Sequence, residues 1–198
     1  MTLEQILAFG VFSLVAAVTP GPSNTLLTSV GAQVGIQRGL PCLLGISAGM
    51  GTLLFAVALG VTSALLGHPE VMRVIKFGGA AFLLWLAWRI ATSGGGETES
   101  SGASAGFVAG AALQWVNPKA WIIGAGAATT YLEPDPSSVV VQALTLVAVF
   151  MLAALPAGFV WLAFGASMRG FLRDARRRRI FNIAMGLALA LSVATILR

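Results

Sequence analysis

The residues at positions 19–24 combine helix breakers with polar side chains. The segment Thr19-Pro20-Gly21-Pro22-Ser23-Asn24 lies inside an uncharged run, residues 5–37, that is long enough to cross a bilayer. Because each proline lacks an N–H, the carbonyls of Ala16 and Val18 lose their helical donors, and hydrocarbon tolerates such carbonyls only where protein or trapped water satisfies them. Ser23 and Asn24 can cap a restarted helix. The pattern favours a broken transmembrane helix that faces a polar cavity; a proline kink without function is the alternative.

A second interruption, Asn117-Pro118-Lys119, carries a cation. Lys119 is the only charged residue between Glu99 and Glu133. A buried ammonium costs on the order of 3 kcal/mol even on a lenient insertion scale, so such residues usually have a task. Pro118 removes the helical donor to the Gln114 carbonyl, and Asn117 can cap a helix or coordinate a ligand. The pattern predicts an anion site at Lys119; a lysine that reaches the membrane interface is the alternative.

Composition indicates what kind of fold must position these residues. The chain has 198 residues, of which 57% are hydrophobic and 10% are charged, whereas soluble domains average about 25% charged residues. The fold expected is an all-α polytopic membrane protein. Its net charge of +5 comes from basic residues beside apolar runs, which fits membrane orientation better than nucleic-acid binding. The single cysteine, Cys42, excludes a disulfide framework.

Six transmembrane helices in two halves are predicted. Residues 1–92 form a first three-helix repeat, 93–104 form a polar linker, and 105–198 form a second repeat. An odd number of spans per repeat makes the second repeat inverted, and helices one and four are each broken at a proline motif, as in transporters with a site near the bilayer midplane. The spans are expected at residues 5–32, 43–66, 74–91, 105–132, 139–168 and 180–197. Gly45, Gly49 and Gly51 would let a neighbouring helix approach closely.

The distribution of basic residues predicts the orientation. Loops on one side carry eight basic residues: Arg38, Arg89, Arg169, Arg173 and Arg176–Arg179. The other side has Arg73, Lys76 and Arg198. The positive-inside rule therefore places the loops at 33–41, 93–104 and 169–179 in the cytoplasm and both termini outside. The arginine run could also hold anionic lipid headgroups.

Four motifs resemble the lysine and homoserine/threonine exporter family, LysE/RhtB. They are TPGPSN at 19–24, GISAGM at 45–50, KFGGAAFLLWLAW at 76–88 and NPKA at 117–120. The stretches GGAAFLLWLAWRIATS and LQWVNPK are most similar to the cysteine/O-acetylserine exporter branch. The resemblance implies a bacterial inner-membrane protein that moves amino acids out of the cell. Many relatives carry an aspartate where this chain has Met50, so a strongly cationic substrate would lack a counter-charge.

The function expected is export of small neutral amino acids such as cysteine/O-acetylserine or threonine/homoserine, coupled most simply to protons. Substrate-binding candidates are Thr19, Pro20, Gly21, Pro22, Asn24, Met50, Asn117, Pro118 and Lys119. No G-x-x-x-x-G-K-[ST] motif occurs, so the chain itself is not expected to hydrolyse ATP. No cofactor, metal or nucleic acid is expected, membrane lipids surround the chain, and its glycine-rich faces permit a homodimer. The alternatives are export of basic amino acids and a membrane redox carrier, which a single cysteine disfavours; an enzyme would lack a nucleophile–base pair.

Overall fold

The computed structural model describes residues 1–60, 69–93, 106–133 and 139–197, and these residues are almost entirely helical. Seven α-helices and one short 3₁₀-helix lie within them. In chain order the α-helices are α1 (Leu3–Val18), α2 (Pro22–Ala58), α3 (Pro69–Thr92), α4 (Phe107–Val116), α5 (Pro118–Tyr131), α6 (Val139–Ser167) and α7 (Ala175–Leu197), and the 3₁₀-helix, Phe171–Arg173, precedes α7. The linker predicted at 93–104 lies almost wholly outside the described residues.

Local sequence explains where several helices begin. Thr2 and Gln5 form a reciprocal capping box at the start of α1. Proline stands at the first position of both α2 and α5, where its missing N–H has no helical partner to lose. The Asp174 carboxylate accepts a hydrogen bond from the backbone N–H of Arg177 at the start of α7, at 2.9 Å. The chain therefore leaves the helical path between Val18 and Pro22 and again at Asn117.

The prediction of a loop at 33–41 is wrong for most of this range. Helix α2 continues through this region, and its backbone departs from helical geometry only at Gly35, with φ of 82° and ψ of −177°. A positive φ of this kind is readily adopted only by glycine. Residues 69–73 and 175–179, which were also expected in loops, are helical. The helices were predicted to end where the apolar residues end. They are longer than that, because charged residues also occupy their end turns.

Glycines let α2 pack backbone to backbone against α4 and α6. A Cβ on Gly45 or Gly49 of α2 would overlap the carbonyl oxygen of Phe107 or Ala111 in α4. In the same way, a Cβ on Gly31 of α2 or on Gly165 of α6 would overlap a carbonyl oxygen of the other helix. The close approach predicted for Gly45 and Gly49 is confirmed, whereas Gly51 faces the Val147 side chain on α6. Close contact of this type is typical of helices packed in membranes.

Polar side chains join elements at the two ends of the bundle. At one end the Gln5 side chain donates to the Glu133 carboxylate at 3.3 Å, and the Glu133 N–H donates to the side chain of Gln142 at 2.8 Å. At the other end the Asn182 amide donates to the Ser93 carbonyl at 2.9 Å. The Arg169 side chain also lies at this second end, close to the backbone of Gly35: a Cβ on Gly35 would be 2.8 Å from its Nη1.

Two of the described helices, α2 and α6, are long and apolar enough to cross a membrane by length and composition alone. Helices α1 and α4 are apolar but shorter, with 16 and 10 residues, and a membrane-spanning helix needs about 20. Many large apolar side chains face outward, among them Val108 and Leu152, each 77% exposed. An outer surface of this kind suits a lipid environment.

Candidate functional site

A cavity lies where the two helix interruptions meet. Its volume is about 60 Å³, several times the space that one water molecule needs. The cavity is lined by the first residues of two helices, by polar amide side chains and by apolar side chains. The lining residues are Ala16, Ala17, Gly21–Asn24, Leu27, Leu43, Ile46, Ser47, Met50, Gln114, Asn117, Lys119, Ala120, Ile123, Phe150, Ala154 and Gly158.

Lys119 crosses from the second interruption to the first. Its Nζ donates to the carbonyl oxygen of Thr19 at 2.6 Å, which joins two residues a hundred positions apart. The side chain lies against Gly21, since a Cβ there would be 3.1 Å from Cδ and 3.3 Å from Nζ of the lysine. An ammonium carries three N–H donors. One of them binds Thr19, and within the described residues the others make no hydrogen bond.

The start of α2 lies beside this ammonium. Gly21 is the N-cap residue and its backbone is extended. The first backbone N–H of the helix to find a carbonyl is that of Thr25, which donates to Gly21 at 2.9 Å. The N–H groups of Ser23 and Asn24 precede it and have no carbonyl within the helix. Unpaired N–H groups and the helix dipole both favour an anion at this point.

The start of α5 is held by an asparagine cap. The side-chain oxygen of Asn117 accepts a hydrogen bond from the backbone N–H of Lys119 at 3.1 Å. The prediction that Pro118 leaves the Gln114 carbonyl without a donor is wrong, because the N–H of Asn117 donates to it at 3.3 Å. Asn117 and Gln114 are nevertheless 3% exposed each and line the cavity.

Asn24 satisfies backbone groups that the first interruption exposes. Its Nδ2 donates to the carbonyl oxygens of Ala17 and Thr19, both at 3.0 Å. These two carbonyls have no donor along the helix because the chain leaves the helical path between Val18 and Pro22; they are not the Ala16 and Val18 carbonyls that face the prolines. A side chain therefore replaces part of the missing helical hydrogen bonding, while the bend itself stays open.

Six of the nine predicted site residues line the cavity: Gly21, Pro22, Asn24, Met50, Asn117 and Lys119. Thr19 and Pro20 are exposed and Pro118 is partly buried, and none of the three lines the cavity. Thr19 still contributes its carbonyl oxygen, which accepts from both Lys119 and Asn24. Met50 is 4% exposed and belongs to the cavity wall.

The predicted site left out three polar residues of the cavity: Ser23, Ser47 and Gln114. Ser23 had been expected only as a helix cap, but the N-cap of α2 is Gly21 and no side chain caps it. Ser23 accepts a hydrogen bond from Nε2 of Gln114 at 2.9 Å, which is a second link between the two interruptions. Ser47 is 2% exposed, and its hydroxyl has no hydrogen-bond partner within the described residues. Ser47 lies in the GISAGM segment, whose small residues indicate packing; Gln114, three residues before Asn117, offered the clearer signal.

The described residues hold no group of three His, Cys, Asp or Glu side chains that could bind a metal ion. Cys42 is buried and is not part of a disulfide. Among the residues that line the cavity, Lys119 is the one with a charged side chain. The site is therefore suited to binding a small polar ligand with a negative group.

Comparison with known proteins identifies relatives of the chain. The family described as LysE type translocator matches residues 14–197. The chain is 31% identical over 191 residues to a cysteine/O-acetylserine efflux protein of Salmonella typhimurium strain LT2, with 96% of this chain and 95% of the relative covered. It is 31% identical over 194 residues to the protein of the same name in Escherichia coli strain K12, with the same coverage. No solved structure matches the chain significantly.

Proposed function

Because the chain belongs to the LysE type translocator family of membrane transporters, we propose that it exports small neutral amino acids across the inner membrane of a bacterium. Cysteine and O-acetylserine are the first substrates to test, since curated relatives are named cysteine/O-acetylserine efflux proteins. Threonine and homoserine are the next. The chain is a transporter rather than an enzyme.

The observation that carries this proposal is the position of Lys119 between two helix starts at the edge of a cavity. Its Nζ binds the Thr19 carbonyl and lies beside Gly21, the N-cap of α2. The α-carboxylate of a substrate would bind the free N–H groups of this ammonium and those at the start of α2. The α-ammonium would bind oxygen atoms exposed by the interruptions.

The charge of the cavity favours a neutral zwitterion over a basic amino acid. Lys119 supplies one positive charge, and no carboxylate is among the lining residues. Two like charges ~6 Å apart at an effective dielectric of about 20 repel by roughly 3 kcal/mol, equivalent to about a hundredfold in affinity. The buried Met50 offers no charge to offset this repulsion. Lysine and arginine should therefore be poor substrates.

The two halves, residues 1–92 and 105–198, would move against each other as inverted repeats of three spans each, joined by the linker at 93–104. Each interruption would fall inside a single span, with α1 continuing into residues 22–34 and α4 into α5. Helices α1, α4 and α5 are each too short to span alone. The hydrogen bonds at both ends of the bundle are consistent with this path. Export would be driven by exchange with protons, with the arginine-rich side in the cytoplasm.

Counterflow from proteoliposomes tests the proposal. Purified protein is reconstituted with an unlabelled amino acid inside, and exchange with a labelled one outside is measured across a panel of neutral and basic amino acids. Exchange of cysteine, O-acetylserine, threonine or homoserine is expected. Exchange confined to lysine and arginine would replace the neutral-substrate proposal with basic amino-acid export, and absence of exchange with every amino acid would refute export. The coupling is tested by imposing a proton gradient and measuring the rate of transport with and without a protonophore. An unchanged rate would refute proton coupling.

A further inference from the structure

Two asparagines at the cavity are held in opposite senses by the backbone. Nδ2 of Asn24 donates to two carbonyl oxygens, those of Ala17 and Thr19. A carbonyl oxygen only accepts hydrogen bonds, so this pair of contacts fixes which end of the amide is nitrogen. Oδ1 of Asn24 must then point away from them. It has no hydrogen-bond partner among the described residues, although Asn24 is only 7% exposed and lines the cavity.

Asn117 is oriented the other way. Its Oδ1 accepts from the backbone N–H of Lys119 at 3.1 Å, and a backbone N–H only donates, so this amide is fixed as well. Nδ2 of Asn117 is left as the free end. Within the described part of the chain it donates to no acceptor, although Asn117 is 3% exposed and belongs to the cavity wall.

We propose that these two amides set the direction in which an amino acid binds. Oδ1 of Asn24 accepts from the α-ammonium of the substrate, and Nδ2 of Asn117 donates to its α-carboxylate beside Lys119. This inference rests on the proposed function and adds to it a division of the site into an acceptor side and a donor side. A hydrogen bond to a charged group contributes about 1.5–3 kcal/mol, so a zwitterion with one group on each side gains from both amides at once.

The separate recognition of the two charges can be measured with three compounds of matched side chain. Cysteine has both groups, cysteamine lacks the carboxylate, and 3-mercaptopropionate lacks the amine. Their dissociation constants are determined by thermal-shift titration of the purified protein under reducing conditions. Counterflow of labelled cysteine, run on the same preparations, reports the proposed function independently of the binding pattern.

Asn117→Ser tests the donor side without removing the cap. Serine caps helices about as well as asparagine, so α5 should still begin at Pro118. Loss of one hydrogen bond to a charged group should weaken binding of cysteine and 3-mercaptopropionate by about tenfold or more. Cysteamine, which has no carboxylate, should bind as it does to the unmodified protein.

Asn24→Asp tests the acceptor side through a gain in binding. The aspartate keeps an oxygen at this position and adds a negative charge close to the start of α2, where acidic side chains are favourable. Its second oxygen replaces Nδ2 and cannot donate to the carbonyls of Ala17 and Thr19, so thermal unfolding of this variant is measured first to establish that it is folded. Cysteamine should bind about tenfold more tightly and 3-mercaptopropionate more weakly. A misfolded protein would not produce this gain. Asn182→Ala is the matched control, because this buried asparagine donates to Ser93 away from the cavity.

Failure of the divided site can be told apart from failure of the proposed function. If the unmodified protein exchanges cysteine but both asparagine variants leave the ratios of the three dissociation constants unchanged, the division of the site is wrong and the proposed function stands. The division is also wrong if Asn117→Ser weakens cysteamine as much as 3-mercaptopropionate, or if Asn182→Ala changes the ratios as much as the two cavity variants do. If the unmodified protein neither binds nor exchanges cysteine, the cysteine assignment is wrong and this inference falls with it.

Discussion

Lys119→Ala should strongly weaken substrate binding while leaving the fold intact. The ammonium of Lys119 is the charged group of the cavity wall, and loss of a hydrogen bond to a charged group costs about 1.5–3 kcal/mol. That free energy corresponds to about 10- to 150-fold weaker binding of the substrate carboxylate. The Thr19 carbonyl loses one donor in this variant but keeps Nδ2 of Asn24 at 3.0 Å, so no backbone carbonyl is left unpaired there.

Lys119→Arg should restore the charge without restoring the rate. The lysine stem lies against the backbone of Gly21, where even a Cβ would be 3.1 Å from Cδ and 3.3 Å from Nζ. A guanidinium is larger and planar, and it donates in a fork rather than from one point. It cannot occupy the position 2.6 Å from the Thr19 carbonyl without displacing neighbouring groups. Transport should lie between that of the alanine variant and that of the unmodified protein.

The assay is counterflow in proteoliposomes with equal amounts of each variant, checked for monodispersity before reconstitution. Arg73→Ala is the matched control, because this arginine is 63% exposed and pairs only with Glu70 on α3 within the described residues. Its transport should equal that of the unmodified protein. If Lys119→Ala exchanges substrate at the unmodified rate with unchanged affinity, the carboxylate binds elsewhere and the site assigned to Lys119 is wrong.

Four further predictions concern packing, charge, the first interruption and orientation. Gly45→Val should lower the free energy of unfolding by about 1–3 kcal/mol, because its side chain would overlap the Phe107 carbonyl; thermal unfolding in detergent measures this. Met50→Asp should relax the exclusion of lysine by up to about a hundredfold, since a carboxylate in the cavity wall offsets the repulsion; competition in inverted vesicles measures this. Pro22→Ala should slow transport, because an N–H at this position lets the helix close across the bend. A reporter fused after Asp174 should be active only on the cytoplasmic side.

Each of these predictions has a control or a contrary outcome. Gly78→Ala is the packing control, since a Cβ there meets nothing within 4 Å, and equal unfolding temperatures for the two glycine variants would refute the packing explanation. Strong competition by lysine in the unmodified protein would refute the charge explanation. An unchanged rate in Pro22→Ala would show that the bend is not needed for transport. Activity of the Asp174 fusion outside the cell would reverse the orientation.

The helical class, the family and the two places where the helical path is interrupted could be predicted from the sequence alone. These features depend on local chemistry: proline cannot donate a hydrogen bond, asparagine caps a helix, and a lone lysine in an apolar run is costly. The region around Gly35 could not be predicted in this way. The charged and polar residues at 33–41 resemble a loop, but the backbone there changes direction at one glycine and continues as a helix.

Only the tertiary structure decided which atoms meet. The contact of Lys119 with the Thr19 carbonyl joins residues 100 positions apart in the chain, and that of Gln114 with Ser23 joins residues 91 positions apart. Such contacts follow from how closely whole helices approach one another. That approach is set jointly by glycines on several helices, so no single stretch of sequence contains it.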